Sequence, residues 1–206
     1  MTLDQNQVRK VFLEGLRFCK WLLYSGATGL LVGAVAAAFH LGIDWGAELR
    51  GEHPWILYFL PLGGIAIVLL YRLSGMEKDQ GTNLVLIAVR EAEPMRLRTA
   101  PLIFVATILT HLVGGSAGRE GAALQLGASI GAWVGRKIHL DEKDRRIMVM
   151  CGMSAAFSAL FGTPLTAMLF SMEVVSVGVM YYAALVPCLV SAQVALLVAR
   201  MFGVHR

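Results

Sequence analysis

The sequence predicts an all-α, polytopic membrane protein built partly from discontinuous helices. Three observations carry that prediction. Of 206 residues, 57% are hydrophobic and 16% charged, where soluble domains hold about 25% charged residues. Apolar runs recur along most of the chain, and three of them reach the roughly 20 residues that a membrane crossing needs. The other apolar runs are shorter and broken by Gly or Pro. Strong hydrophobicity in short, interrupted pieces marks helices that stop inside the bilayer and line a site there.

The elements follow in chain order. Residues 1–20, MTLDQNQVRKVFLEGLRFCK, are polar and mixed in charge, unlike a cleavable signal sequence. They read as a cytoplasmic segment ahead of a transmembrane unit over 21–206. Residues 21–43 and 55–73 read as two full crossings, and 180–202 as a third. Between the second and third lie the shorter pieces 100–113, 121–135, 147–161 and 163–178. No soluble linker or low-complexity stretch interrupts them.

Basic residues set the orientation. Arg9, Lys10, Arg17 and Lys20 precede the first crossing. Arg72, Lys78, Arg90, Arg96 and Arg98 fall in 72–98. Arg136, Lys137, Lys143, Arg145 and Arg146 fall in 136–146. By contrast, 44–54 sets Asp44, Glu48 and Glu52 against Arg50 alone. Basic loops stay in the cytoplasm, so the N-terminus, 72–98 and 136–146 are expected inside and 44–54 outside. A hairpin leaves and returns, and a re-entrant unit then begins and ends on the inner side.

The net charge of +4 is read through this topology rather than as a nucleic-acid surface. Cys19, Cys151 and Cys188 are far apart in or beside apolar stretches. They read as small buried hydrophobes, with neither a disulfide framework nor a metal site in their spacing. No cofactor is called for. Gly127, Ala128, Ser129, Gly131 and Ala132 crowd one helix, where small residues let membrane helices approach closely.

The chemistry concentrates in GGSAGREG, residues 114–121. A charge at membrane depth costs roughly 2.5–3.5 kcal/mol on insertion scales and usually marks a transport path or relay. Arg119 and Glu120 are adjacent, and adjacent residues on a helix face different ways, so they do not simply neutralise each other. The helical run AALQLGASIGAWVG starts just after them. Glu120 therefore belongs to a first helical turn, where free N–H groups and about half a positive charge make an anion site. A tethered glutamate can fill that site when ionised and leave it when protonated. It is then a gate, a competitor for the anion and a proton carrier at once.

GGSAGREGAALQLGASIG resembles the G(K/R)EGP motif of the CLC anion channels and anion/proton antiporters, with Ala122 in place of the proline. CGMSAAFSALFGTPLTAMLFSMEV (151–174) is similar to the family stretch ending N-A-P-L-A-G-x-L-F-x-x-E-E, and GTNLV (81–85) stands where the family has G-S-G-I-P. The resemblance runs from about residue 20 to the end. It implies the first inverted-repeat half of a CLC fold in the cell membrane, with Glu120 as gate and proton-transfer group. Gly118, Arg119, Gly121 and Ala122 would surround the anion. Thr82 or Asn83 would take the place of the anion-binding serine. Glu173 matches the first glutamate of the E-E pair and Val174 the second, so the inner proton-relay glutamate is missing. With the altered serine motif and the small residue after GREG, this looks most like the fluoride/proton antiporter clade.

The implied partners are fluoride or chloride, protons, the lipid bilayer, a second CLC half and a second subunit in a homodimer. The family subunit has two halves around its anion site, so the sequence is expected to be a truncated product or one half of a split transporter.

Other readings remain open from the residues. A chloride channel of the same family and a structural or inactive half-subunit both fit. An intramembrane hydrolase rests on Gly152-Met153-Ser154-Ala155, close to G-x-S-G, and on His111 in a membrane segment. Its closing Gly is absent, and the one His after Ser154, His205, lies at the tail.

Overall fold

A computed structural model of the chain describes residues 5–76, 81–90, 95–174 and 180–204. Lys78, the end of the 163–178 segment and His205 lie outside the described residues. The described chain is helical, with no strand among its residues. The helices are α1 Gln5–Glu52, α2 Leu60–Leu73, α3 Thr82–Arg90, α4 Thr99–Leu112, α5 Arg119–Lys137, α6 Glu142–Phe161, α7 Pro164–Glu173 and α8 Leu185–Met201. A 3₁₀ turn, Pro54–Phe59, joins α1 to α2.

α1 is longer than its apolar run because nothing before Pro54 interrupts it. Residues 5–53 contain no proline. Pro54 then disfavours helical backbone at the residue before it, and His53 turns out at φ −125°, ψ 75°. The acidic 44–54 stretch is therefore helical as far as Glu52, and the expected outer loop shrinks to His53 and the 3₁₀ turn. Among the described residues, three helical stretches are long and apolar enough to cross a membrane: Phe12–Glu52, Pro54–Leu73 and Tyr182–Met201. They cover the three expected crossings.

The four shorter pieces divide. α5 and α6 reach 19 and 20 residues, because the charged flanks Arg119–Glu120, Arg136–Lys137 and Glu142–Arg146 join the helices. α4 and α7 remain short, at 14 and 10 residues. The 72–98 stretch, expected as a loop, holds a further short helix, the 9-residue α3. At about 1.5 Å per residue α3 and α7 reach roughly halfway across a bilayer. α7 follows a sharp break: Gly162 ends α6 in left-handed backbone at φ 69°, and Pro164 opens α7.

The centre is a close-packed group of α1, α5, α6 and α8. α1 and α8 run parallel, with Gly29 against Ser191 and Gly33 against Ala195. α6 and α8 also run parallel. Ser154 Oγ donates to the Cys188 carbonyl at 3.2 Å, and Ser158 Oγ donates to that of Ala192 at 2.8 Å. Ser191 Oγ returns a bond to the Cys151 carbonyl at 3.0 Å. α5 runs against α6, with Gly127 on the Gly152 backbone and Gly131 on that of Met148. A side chain at Gly127 or Gly152 would occupy the other helix's carbonyl, so small residues set this spacing. Cys151 and Cys188 are buried in that group, but Cys19 is exposed on α1. Its neighbours at 12–20 are exposed as well.

The 136–146 turn lies at the same end as the start of α1. Burial and Asp141 push the Asp144 carboxyl above its ordinary range, against the pull of Lys20 and Arg17. α4 rises beside α1, with Ile108 against Gly42 and Leu112 against Gly46, and α5 returns. The GGSAGREG segment therefore sits at the opposite end from the basic turn.

Candidate functional site

Three glycines build the approach to α5. Gly114 takes φ 86° and ends α4, while Gly115 N–H bonds back to the Thr110 carbonyl at 2.8 Å. Gly118 is the extended N-cap of α5, with φ −73° and ψ 141°. It has no side chain to cap the first turn, so that turn's N–H groups are left for another acceptor.

Glu120 lies in this turn and is exposed. Its carboxylate folds back over the N-cap: a Cβ on Gly118 would stand 3.0 Å from Glu120 Oε2. Arg119 points elsewhere. Its Nη1 lies 3.6 Å from Asp44 Oδ1, and Asp44 Oδ2 lies 3.3 Å from His40 Nε2. The guanidinium is thus held on α1, while the backbone of Arg119 opens α5. Ala122 is buried behind the turn.

α3 meets α5 at its own first turn. A Cβ on Gly121 would lie 3.5 Å from Thr82 Cγ2 and 3.7 Å from Thr82 Oγ1. Gly81, at φ 61°, precedes Thr82, and a Cβ there would lie 3.9 Å from Gln125 Nε2. Below this point Val85 and Val89 pack in one apolar cluster with Leu124 and Ala128. The two helices therefore start side by side, and their positive ends add. Thr82 and Asn83 are both exposed at this junction. The structure brings Thr82 to Gly121; Glu173 ends α7 as an exposed carboxylate, with Val174 as its C-cap.

Above the site is an open cleft of about 580 Å³, lined by Arg50, Pro54, His111 and the 114–117 backbone. Arg50 Nη1 donates to the His111 carbonyl, and His111 Nδ1 lies 2.8 Å from the Thr107 carbonyl. His111 is thus a satisfied, half-buried polar residue. Ser154 is fully buried with its hydroxyl on the Cys188 carbonyl, so it is no exposed nucleophile.

Sequence reading missed Asp44 as the partner of Arg119, His40 as the second partner of Asp44, and the placement of Gln125 beside Gly81. A signal for the first was present: an acid four residues after a histidine in an otherwise apolar run.

The voltage gated chloride channel family matches residues 62–206. The chain is also 40% identical over 186 residues to a chloride/fluoride channel protein of Pseudomonas syringae pv. tomato, covering 90% of this chain and 41% of that protein. The chain belongs to the voltage gated chloride channel, or CLC, family. It is 35% identical to a CLC-type fluoride/proton antiporter of known crystal structure, with a TM-score of 0.86 over all of this chain and 50% of that one. A slow cyanobacterial Cl⁻/H⁺ antiporter shares the fold at 22% identity, with a TM-score of 0.70 over 88% of this chain and 46% of that one. The H(+)/Cl(−) exchange transporter ClcA of Cronobacter sakazakii is 29% identical over 167 residues, 74% of this chain and 36% of that protein. The CLC chain described here spans half the length or less of these relatives and covers about half of the CLC fold. Its relatives are transporters and exchangers rather than enzymes.

Proposed function

We propose that the chain supplies one half of a proton-coupled anion exchanger, with fluoride the favoured ion and chloride the alternative. The observation that carries this is the meeting of two helix starts at Thr82 and Gly121, that of α5 without a side-chain cap, with Glu120 in the first turn beside them. Backbone N–H groups of α5 and the hydroxyl and amide donors of Thr82 and Asn83 offer hydrogen bonds to a small, strongly hydrated anion. The solved structure at 35% identity is a fluoride/proton antiporter, which supports fluoride, while the Pseudomonas relative is named for both chloride and fluoride.

Glu120 is the gate. Ionised, its carboxylate competes with the anion for the N–H groups of the α5 start. Protonated, it loses that attraction, swings away and carries the proton with it. Asp44 holds the Arg119 guanidinium aside, so Arg119 raises the local potential without occupying the anion's place. Val174 stands where a second acid would sit in the family pattern, so Glu120 is the one glutamate of the exchange. The chain works with a second CLC half and in a homodimer in the cell membrane, its N-terminus in the cytoplasm.

Liposome efflux tests this. Purified 1–206 alone should release neither fluoride nor chloride, and the chain together with a second half should release fluoride with proton uptake. Robust efflux from 1–206 alone that disappears in Glu120→Gln would mean that copies of this chain complete the site themselves.

A chloride channel of the same family is the second reading. Its supporting observation is the exposed, uncapped α5 start, which does not itself exclude a larger halide.

A further inference from the structure

Between Glu120 and Arg136, α5 carries no titratable side chain, and apart from the Trp133 indole its only polar side chains are Gln125 and Ser129. They are four residues apart, so they lie on one face. Gly121 heads the same face one turn above Gln125, with Thr82 against it. Gln125 is 5% exposed and Ser129 is fully buried. Gln125 Oε1 and Ser129 Oγ are both shut from solvent and have no hydrogen-bond partner among the described residues. A buried polar oxygen without a partner is destabilising, and two in one row call for an explanation.

The row has a direction. It descends from the first turn of α5, where Glu120 lies, towards the Arg136–Lys137 end. Gln125 Nε2 faces Gly81 at the start of α3, so the upper end of the row opens onto the α3–α5 junction. Neither oxygen is reachable by another protein chain, because each is already enclosed by this one. Only a small donor within the helix group can satisfy them.

We propose that Gln125 and Ser129 form a neutral, intermittently wetted path that carries protons between the inner end of α5 and Glu120. This rests on the exchange reading above. Water entering with the ion donates to Gln125 Oε1 and Ser129 Oγ, which orients it. A hydronium at the inner end passes a proton to the next water, and the Ser129 hydroxyl accepts one proton while releasing its own. The last O–H bond to form is on the Glu120 carboxylate. Gln125 exchanges no proton; its carbonyl positions the water that does. Gln125 and Ser129 are thus positioning and relay groups for the proton, separate from the donors that hold the anion.

The test is simultaneous fluoride efflux and proton uptake in liposomes holding the transporting assembly. Ser129→Ala and Gln125→Met are each expected to lower protons moved per fluoride by about a hundredfold, the lower end of what a positioned proton-transfer group contributes. Ser129→Thr should restore the parent ratio. Thermal unfolding midpoints of both variants should equal or exceed the parent's, since each removes an unpaired buried oxygen. Ser129→Ala removes a single atom and keeps the test open if Gln125→Met fails to assemble. An unchanged proton-to-fluoride ratio in Ser129→Ala, with Glu120-dependent coupling intact in the parent, overturns the path alone. A parent with no Glu120-dependent proton flux overturns the exchange reading and this path together. Equal loss of both fluxes with a lowered midpoint assigns the pair a packing role and also overturns the path.

Discussion

Thr82 stands against Gly121, 3.5 Å from the place a Cβ would take there. This contact joins two stretches 39 positions apart and sets two helix starts side by side. At 3.5 Å an added methyl makes an ordinary contact, whereas a branched side chain does not fit. Gly121→Ala should therefore keep the fold and much of the anion flux. Gly121→Val should push α3 from α5 and lower fluoride flux by about a hundredfold, the scale on which roughly 1 Å of misplacement acts. Flux assays on the two variants check the pair, and equal flux in both would show that the junction does not hold the ion.

Arg119 and Asp44 are partly exposed, at 31% and 44% of their side chains. Such a pair is worth about 0–1 kcal/mol. Asp44→Ala should thus change the unfolding midpoint little. It frees the Arg119 guanidinium, however, to reach the anion beside Glu120. The expected result is tighter anion retention and slower fluoride turnover, with the difference shrinking at high salt as screening grows. Steady-state turnover against ionic strength measures it.

Gly127 and Gly152 touch backbone to backbone. A valine at either position must spread α5 from α6, and overpacking of this kind costs about 1–3 kcal/mol, occasionally more. Gly127→Val should lower the unfolding midpoint in detergent markedly, while Gly26→Ala, at an open position on α1, should leave it nearly unchanged.

Much of this architecture was legible in the sequence. The three long apolar crossings, the short α7 and the helix start at Arg119 follow from apolar run length, glycine placement and Pro164, whereas α3 lies in 72–98, whose basic residues read as a loop. The 44–54 stretch was not, because acidic residues suit a loop and an extended helix equally until Pro54 is reached. The lengths of α5 and α6 were underread for a related reason: their ends are charged, and hydrophobicity marks the membrane-buried part of a helix rather than its ends. Glu120 was visible because charge among glycines is unusual in an apolar chain. Its surroundings were less so. Asp44 and Gln125 come to the site through helix packing between distant segments, and local pattern carries no such pairing.

Asp144 gives a pH dependence. Its carboxyl is raised by burial and by Asp141, so the folded state favours the protonated form. The stability it contributes is present below the unfolded carboxylate pKa of about 3.9 and is lost as pH rises through the higher folded value. At neutral pH the ionised group is therefore a liability. Asp144→Asn should raise the unfolding midpoint at pH 7 relative to the parent, and the gain should vanish as pH approaches 4. Asp141 keeps the N-cap bond to the Asp144 N–H at 2.8 Å, so the helix start is unaffected.

The central claim is that Glu120, at two converging helix starts, is both gate and proton carrier. Fluoride efflux and proton uptake recorded together from liposomes, in the parent assembly and in Glu120→Gln, test it most directly. The account predicts coupled proton uptake in the parent and none in Glu120→Gln, whatever fluoride flux remains. Proton uptake that persists unchanged in Glu120→Gln would contradict it.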